Sequence, residues 1–212
     1  TTSFTGLAPN TYTVIVKDAN GCTFTSNTTI SNIAGPTAVA LTPVNSTCGA
    51  ANGSFTIGAV TGGTSAFTYS VAPGPAGFTG TTSYASLAAG TYTVTVKDAN
   101  NCTFTANTTV ANTPGPTAVA LTPVNTSCGG TSGTLTIGAV TGGTSAYTYS
   151  VSPGPAGFNA TTSFTNLGAA TYTVVVKDAN NCTFTQTAVV GNNPGPTALA
   201  LTPANASCGA AN

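Results

Sequence analysis

The six cysteines are the residues best equipped for chemistry, and they fall at two fixed phases: Cys22, Cys102 and Cys182 in one, Cys48, Cys128 and Cys208 in the other. Within each phase the spacing is 80 residues. The chain has no histidine and no C-x-x-C spacing, so a zinc set is a poor reading and a disulfide framework the better one. Disulfides persist in oxidising compartments, which points outside the cell. Buried free thiols in a cytosolic protein are the competing reading.

The remaining chemistry is sparse. Three Lys, three Asp and no Glu, Arg or His leave no general base near neutral pH, no carboxylate pair and no anion clamp. Asp98 and its copies Asp18 and Asp178 each follow a lysine, and adjacent strand residues point to opposite faces. A calcium site from Asp98, Asn100 and Asn101 would hold a single carboxylate, a weak ligand set; a turn role for Asp-Ala-Asn suits these residues better. The expectation is a non-enzyme with no catalytic residue, no metal and no cofactor. Charged residues make up 3% of the chain and the net charge is zero, which removes the basic surface that nucleic acid needs. The apolar residues never form a run near 20, so no membrane contact is expected of this segment.

The cysteines are carried by an alternating run that occurs three times: Thr11-Tyr-Thr-Val-Ile-Val-Lys-Asp-Ala-Asn-Gly-Cys22, Thr91-Tyr-Thr-Val-Thr-Val-Lys-Asp-Ala-Asn-Asn-Cys102 and Thr171-Tyr-Thr-Val-Val-Val-Lys-Asp-Ala-Asn-Asn-Cys182. Tyr92, Val94 and Val96 share one side of a period-2 pattern, as in a half-buried strand. Lys17, Lys97 and Lys177 sit 80 residues apart, the mark of a tandem array. Pro114-Gly-Pro116, Pro194-Gly-Pro196 and Ala34-Gly-Pro36 punctuate it, because proline cannot continue a sheet ladder. The domains expected are 1–34, the C-terminal part of a repeat; 36–114 and 116–194, complete repeats; and 196–212, the start of the next. Both ends fall inside a repeat, so the sequence reads as a window on a longer polymer.

Within 36–114 the expected strands are Thr37–Thr42, Ser54–Val60, Ala66–Val71, one through Tyr84 and Leu87, the Tyr92 strand, and Thr103–Val110, which makes six, or seven if the short Gly77–Gly80 stretch is an extra strand. Short strands, frequent turns and no helical period predict an all-β tandem array of immunoglobulin-like β-sandwich domains. The Leu87 to Tyr92 spacing suits a corner at which the tyrosine hydroxyl bonds back to the backbone, a structural role for Tyr12, Tyr92 and Tyr172; simple core packing is the alternative.

Gly62-Gly63, Phe67-Thr-Tyr-Ser70 and the stretch from Leu87 to Cys102, with their copies Gly142-Gly143, Tyr147-Thr-Tyr149 and Leu167 to Cys182, resemble the SprB-type repeat of large cell-surface gliding-motility adhesins of Bacteroidota. The resemblance covers essentially the whole chain. Ala169-Ala170 departs from the family's Ala-Gly before Thr-Tyr and leaves the turn at Ala170 open. The resemblance implies extracellular display at the cell surface, export by type IX secretion, and a part in adhesion or gliding.

Three cysteine pairings compete. Within a repeat, Cys48 joins Cys102 and Cys128 joins Cys182, 54 residues apart, with Cys22 and Cys208 paired outside the window; across Pro-Gly-Pro, Cys102 joins Cys128, 26 apart; or neighbouring repeats are joined, as Cys48 to Cys182. The chain-entropy model separates the first two by only about 0.5 kcal/mol. The within-repeat bond is favoured on the expectation that a domain staples itself. Strand parity is the discriminator: a fifth strand at Gly77-Phe78 would send Cys48 and Cys102 to opposite poles, beyond disulfide reach.

The functional expectation is a structural stalk or filament segment of a long repetitive extracellular adhesin. Its partners would be neighbouring repeats of the same chain, surface glycans or other adhesin chains. The alternative is that each repeat itself binds carbohydrate or another surface. Outward Thr91, Thr93, Thr95, Thr103 and Thr105 could form a hydroxyl array for ice or a glycan, but Thr95 becomes Ile15 and Val175 in the other copies, and threonine suits exposed strand positions in any case.

Overall fold

The computed structural model describes residues 3–154 and 157–203, and every regular element among them is a strand. The chain begins with a hairpin of β1 (Asn10–Lys17) and β2 (Thr23–Ile30). The first repeat follows as β3 (Pro36–Val44), β4 (Ser46–Thr47), β5 (Gly53–Gly62), β6 (Thr68–Ala72), β7 (Ser83–Leu87), β8 (Gly90–Lys97), β9 (Thr103–Val110) and β10 (Asn112–Thr113). The second repeats the series as β11 (Pro116–Val124), β12 (Thr126–Ser127), β13 (Gly133–Gly142), β14 (Thr148–Ser152), β15 (Ser163–Leu167), β16 (Ala170–Lys177), β17 (Thr183–Val190) and β18 (Asn192–Asn193).

Two compact units emerge, and their borders differ from the expected domains. The first comprises Thr1–Val44 with Gly53–Val110; the second comprises Asn45–Asn52 with Ala111–Asn212. The Asn45–Asn52 loop, expected within 36–114, thus packs with the second unit.

Each unit holds two three-stranded antiparallel sheets, β3-β5-β7 with β6-β8-β9 in the first and β11-β13-β15 with β14-β16-β17 in the second. This is the immunoglobulin-like arrangement of strands A, B and E against C, F and G. The alternation read in the sequence sets which side chains meet between the sheets. Phe55, Val94, Val96 and Val110 are fully buried in the first unit, and Leu135, Val174 and Val176 in the second. Each such side chain contributes about 1.5–3 kcal/mol relative to exposure. In the β1–β2 hairpin, a two-stranded sheet of its own, the corresponding Val14 and Val16 are 41% and 60% exposed. The pattern makes the strand, and only an opposing sheet makes it core.

The corner between β7 and β8 is closed by Tyr92, whose hydroxyl donates to the Ala88 carbonyl at 3.0 Å. Tyr172 donates to Gly168 at 3.2 Å and Tyr12 to Ala8 at 2.8 Å. Ala170 opens β16 without disturbing this bond. Its counterpart Gly90 has no left-handed φ and nothing within 4 Å of an added Cβ, so alanine fits there.

The Gly77–Gly80 stretch is an isolated antiparallel bridge rather than a strand. Tyr69 and Thr79 exchange both backbone hydrogen bonds, at 2.7 and 2.9 Å. Tyr149 and Asn159 do the same in the second unit.

Candidate functional site

A dense polar construction of the second unit surrounds Pro114-Gly115-Pro116. On one side lies the Asn45–Asn52 loop, whose β4 runs parallel to β10. The Ser46 amide donates to Ala111 O at 2.9 Å and the Cys48 amide to Thr113 O at 3.1 Å. The Gly49 amide donates to Asn112 Oδ1 at 2.9 Å, and the Ala111 amide to Asn45 Oδ1 at 3.2 Å. Asn52 closes the loop on itself, accepting from the Thr47 amide at 2.8 Å and donating to Thr47 Oγ1 at 2.9 Å. Ser46 is fully buried. These bonds set where Cys48 sits.

On the other side is Cys182, at the end of the turn that leaves β16. It lies against Gly115 so closely that a Cβ there would come within 2.5 Å of the Cys182 Cβ. The two cysteines are joined, with Cα atoms 5.2 Å apart, inside the usual range for a disulfide. An open cleft of about 530 Å³ follows the bridge, lined among others by Asn112, Pro114, Asn181 and Thr183.

This bond corrects the favoured within-repeat pairing. Cys48 is bonded to Cys182, so neither Cys48–Cys102 nor Cys128–Cys182 forms, and among the described residues Cys22, Cys102 and Cys128 are in no disulfide. Cys208 lies outside the described residues. The physical reason is the parity test in the sequence. The bridge at Thr79 carries the chain back alongside β6, an odd number of crossings, so the two cysteines of one repeat part company. In the second unit Cys182 packs on Gly115, just before β11 starts, whereas Cys128 follows the far end of β11. A nine-residue strand, roughly 30 Å at the usual rise, lies between them. In the first repeat Cys102 packs on Gly35, where an added Cβ would meet it at 2.7 Å, and Cys48 follows the far end of β3.

The turn that positions Cys182 is organised by a buried carboxylate. Asp178 is 4% exposed; its Oδ1 accepts from the Asn180 and Cys182 amides at 2.9 and 2.8 Å, and its Oδ2 from the Thr144 amide at 2.9 Å. Asn180 Nδ2 adds a bond to Thr144 Oγ1 at 2.7 Å. Asp98 repeats the arrangement with Asn100, Cys102 and Thr64. The Thr64 amide, with those of Cys102 and Asn100, holds Asp98 below its ordinary value against the opposing effect of burial. Such a carboxylate is neither a proton donor near neutrality nor a free ligand. Sequence reading assigned these aspartates to the turn and missed their cross-link to Thr64 and Thr144, 34 residues away. The glycine pairs Gly62-Gly63 and Gly142-Gly143 just before those threonines were the available signal. No group of three or more His, Cys, Asp or Glu that could hold a metal occurs among the described residues.

The outward threonines of β8 and β9 face one another in register, Thr91 opposite Thr109 and Thr95 opposite Thr105. Their hydroxyls pair across the strands at 3.3 and 3.4 Å. In the second unit Val175 stands opposite Thr185 and Thr171 opposite Val189, so the hydroxyl array is not kept. A recurring surface contact is instead Lys97 Nζ over the Phe78 ring and Lys177 Nζ over Phe158, each 4.4 Å from the centroid, a geometry of cation–π attraction.

Comparison with known proteins adds two findings. The family described as SprB repeat matches residues 120–156, which run from β11 through the Tyr147–Tyr149 region. Among solved structures, the N-terminal eight Ig domains of Down syndrome cell adhesion molecule (DSCAM) isoform 1.30.30 align over 87% of this chain at 12% identity and a TM-score of 0.39. The chain spans 28% of that structure's length. No curated protein matches the sequence.

Proposed function

We propose that this chain, of which residues 120–156 match the SprB repeat family, is a structural stalk or filament segment of a long repetitive extracellular adhesin serving surface adhesion or gliding. The observation that carries this reading is the Cys48–Cys182 bond, which links segments 134 residues apart. It fastens the Asn45–Asn52 loop, from one sequence repeat, to the turn after β16, from the next, within a single compact unit. Side-chain chemistry supports a mechanical role over a catalytic one, since the buried carboxylates are occupied by backbone amides. The disulfide fits an extracellular, cell-surface location, and export by type IX secretion is part of the same proposal. In this reading the chain's principal partners are neighbouring repeats, with glycans or other adhesin chains contacted elsewhere along the protein.

Titration of the purified chain against a panel of cell-surface oligosaccharides tests the reading. No saturable binding is expected. Saturation at one ligand per repeat would overturn it in favour of repeats that bind carbohydrate themselves.

A further inference from the structure

The Cys48–Cys182 loop of 134 residues is longer than the 80-residue period of the sequence. Everything from β5 to β16 lies inside it. We propose that the bridge is a covalent bypass for tension: a pull on the chain ends passes from the backbone at Cys48 to Cys182 through sulfur, and the strands enclosed by the loop carry none of it. The inference adds a load path to the stalk reading, on which its biological use rests but its test does not.

Chain order makes the bypass effective. The strands of the two sandwiches left on the load path are β3, ending at Val44, and β17, beginning at Thr183. Both already lie near full extension, at roughly 3.3 Å per residue. Pulling them straight therefore yields almost no length. The rest of both sandwiches is slack, covalently shorted at the Pro114-Gly115-Pro116 junction.

Both halves of the junction recur. Cys128 is held like Cys48, its amide donating to Asn193 O at 2.9 Å while the Gly129 amide donates to Asn192 Oδ1 at 2.8 Å. Cys102 presses on Gly35 as Cys182 presses on Gly115. A bond longer than the period overlaps its own copies when repeated. From Cys182 the next cysteine of the Cys48 phase is 26 residues on, so a series bridged in this way would yield only those short connections under load.

Single-molecule stretching of the full chain, held by handles at its two termini, reads the bypass as a length. Unfolding of the oxidised chain is expected to release roughly 450 Å less contour than the same chain stretched in dithiothreitol, the length of 134 extended residues. Cys48→Ser should give the long value without reductant. The reductant comparison uses the native sequence, folded before reduction, and so stands even if the variant folds poorly. Equal release with and without reductant would overturn the proposal. A shortfall of about 180 Å, the reach of a 54-residue loop, would also overturn it, because it would place the bond between Cys48 and Cys102. Ligand binding by individual repeats would defeat the stalk reading and leave these lengths unchanged.

Discussion

At the scale of single residues, an acid organises a turn in a chain almost without charge. Asp98 is 3% exposed and its carboxylate gathers the amides of Thr64, Asn100 and Cys102. Hydrogen bonds from backbone amides to a charged acceptor favour the ionised form. The folded chain therefore holds this carboxyl below its ordinary value. A depressed folded pKa adds stability that is complete above the unfolded value. That stability is lost as pH falls through the folded value, the region below about pH 4. Asp98→Asn should thus lower the denaturation midpoint at pH 7, and the gap from the parent should shrink progressively in acid. Urea titrations of both proteins at pH 7 and pH 3 decide the matter; a constant gap would mean that the charge contributes nothing. Tyr92 acts by a different route, one neutral hydrogen bond that pins a corner.

At the scale of elements, backbone spacing decides what can be neighbours. Gly115 is flanked by prolines and faces Cys182, whose Cβ leaves no room for another. Gly115→Ala should push Cys182 away from Cys48, costing about 1–3 kcal/mol through overpacking and exposing two further thiols. Thiol titration of the non-reduced, folded protein gives the count, and an unchanged count would show that the turn yields instead. The alternating strands and the Tyr92 corner were legible in the sequence, because each follows from local periodicity or a fixed turn chemistry. The cysteine partners were not. They depend on β4, β10, β12 and β18, two-residue strands too short to carry a periodic signal. They depend also on a single bridge at Thr79 that changes the number of crossings. The hydrophobic pattern likewise could not tell that Val94 is buried while Val14 is 41% exposed, since the two sit in the same motif and differ only in what faces them.

At the scale of the whole chain, the bond and the compact units are distributed unequally, and the consequence is measurable. Cys48 and Cys182 both belong to the second unit, although the chain between them includes Gly53–Val110 of the first. For a flexible loop of this length the chain-entropy model gives about 5 kcal/mol. While the first unit stays folded, its strands shorten the effective loop, so the second unit gains less than that figure. The first unit gains nothing from the bond until the second has opened. Reduction should therefore destabilise the units in order, the second alone under mild conditions. Hydrogen exchange followed peptide by peptide, with and without a phosphine reductant, resolves them. Protection is expected to fall in Asn45–Asn52 and in the strands from β11 to β17, and to hold in Gly53–Val110. An equal loss in both would mean that the two units open together, and the bond would then stabilise one cooperative body instead of one of its halves.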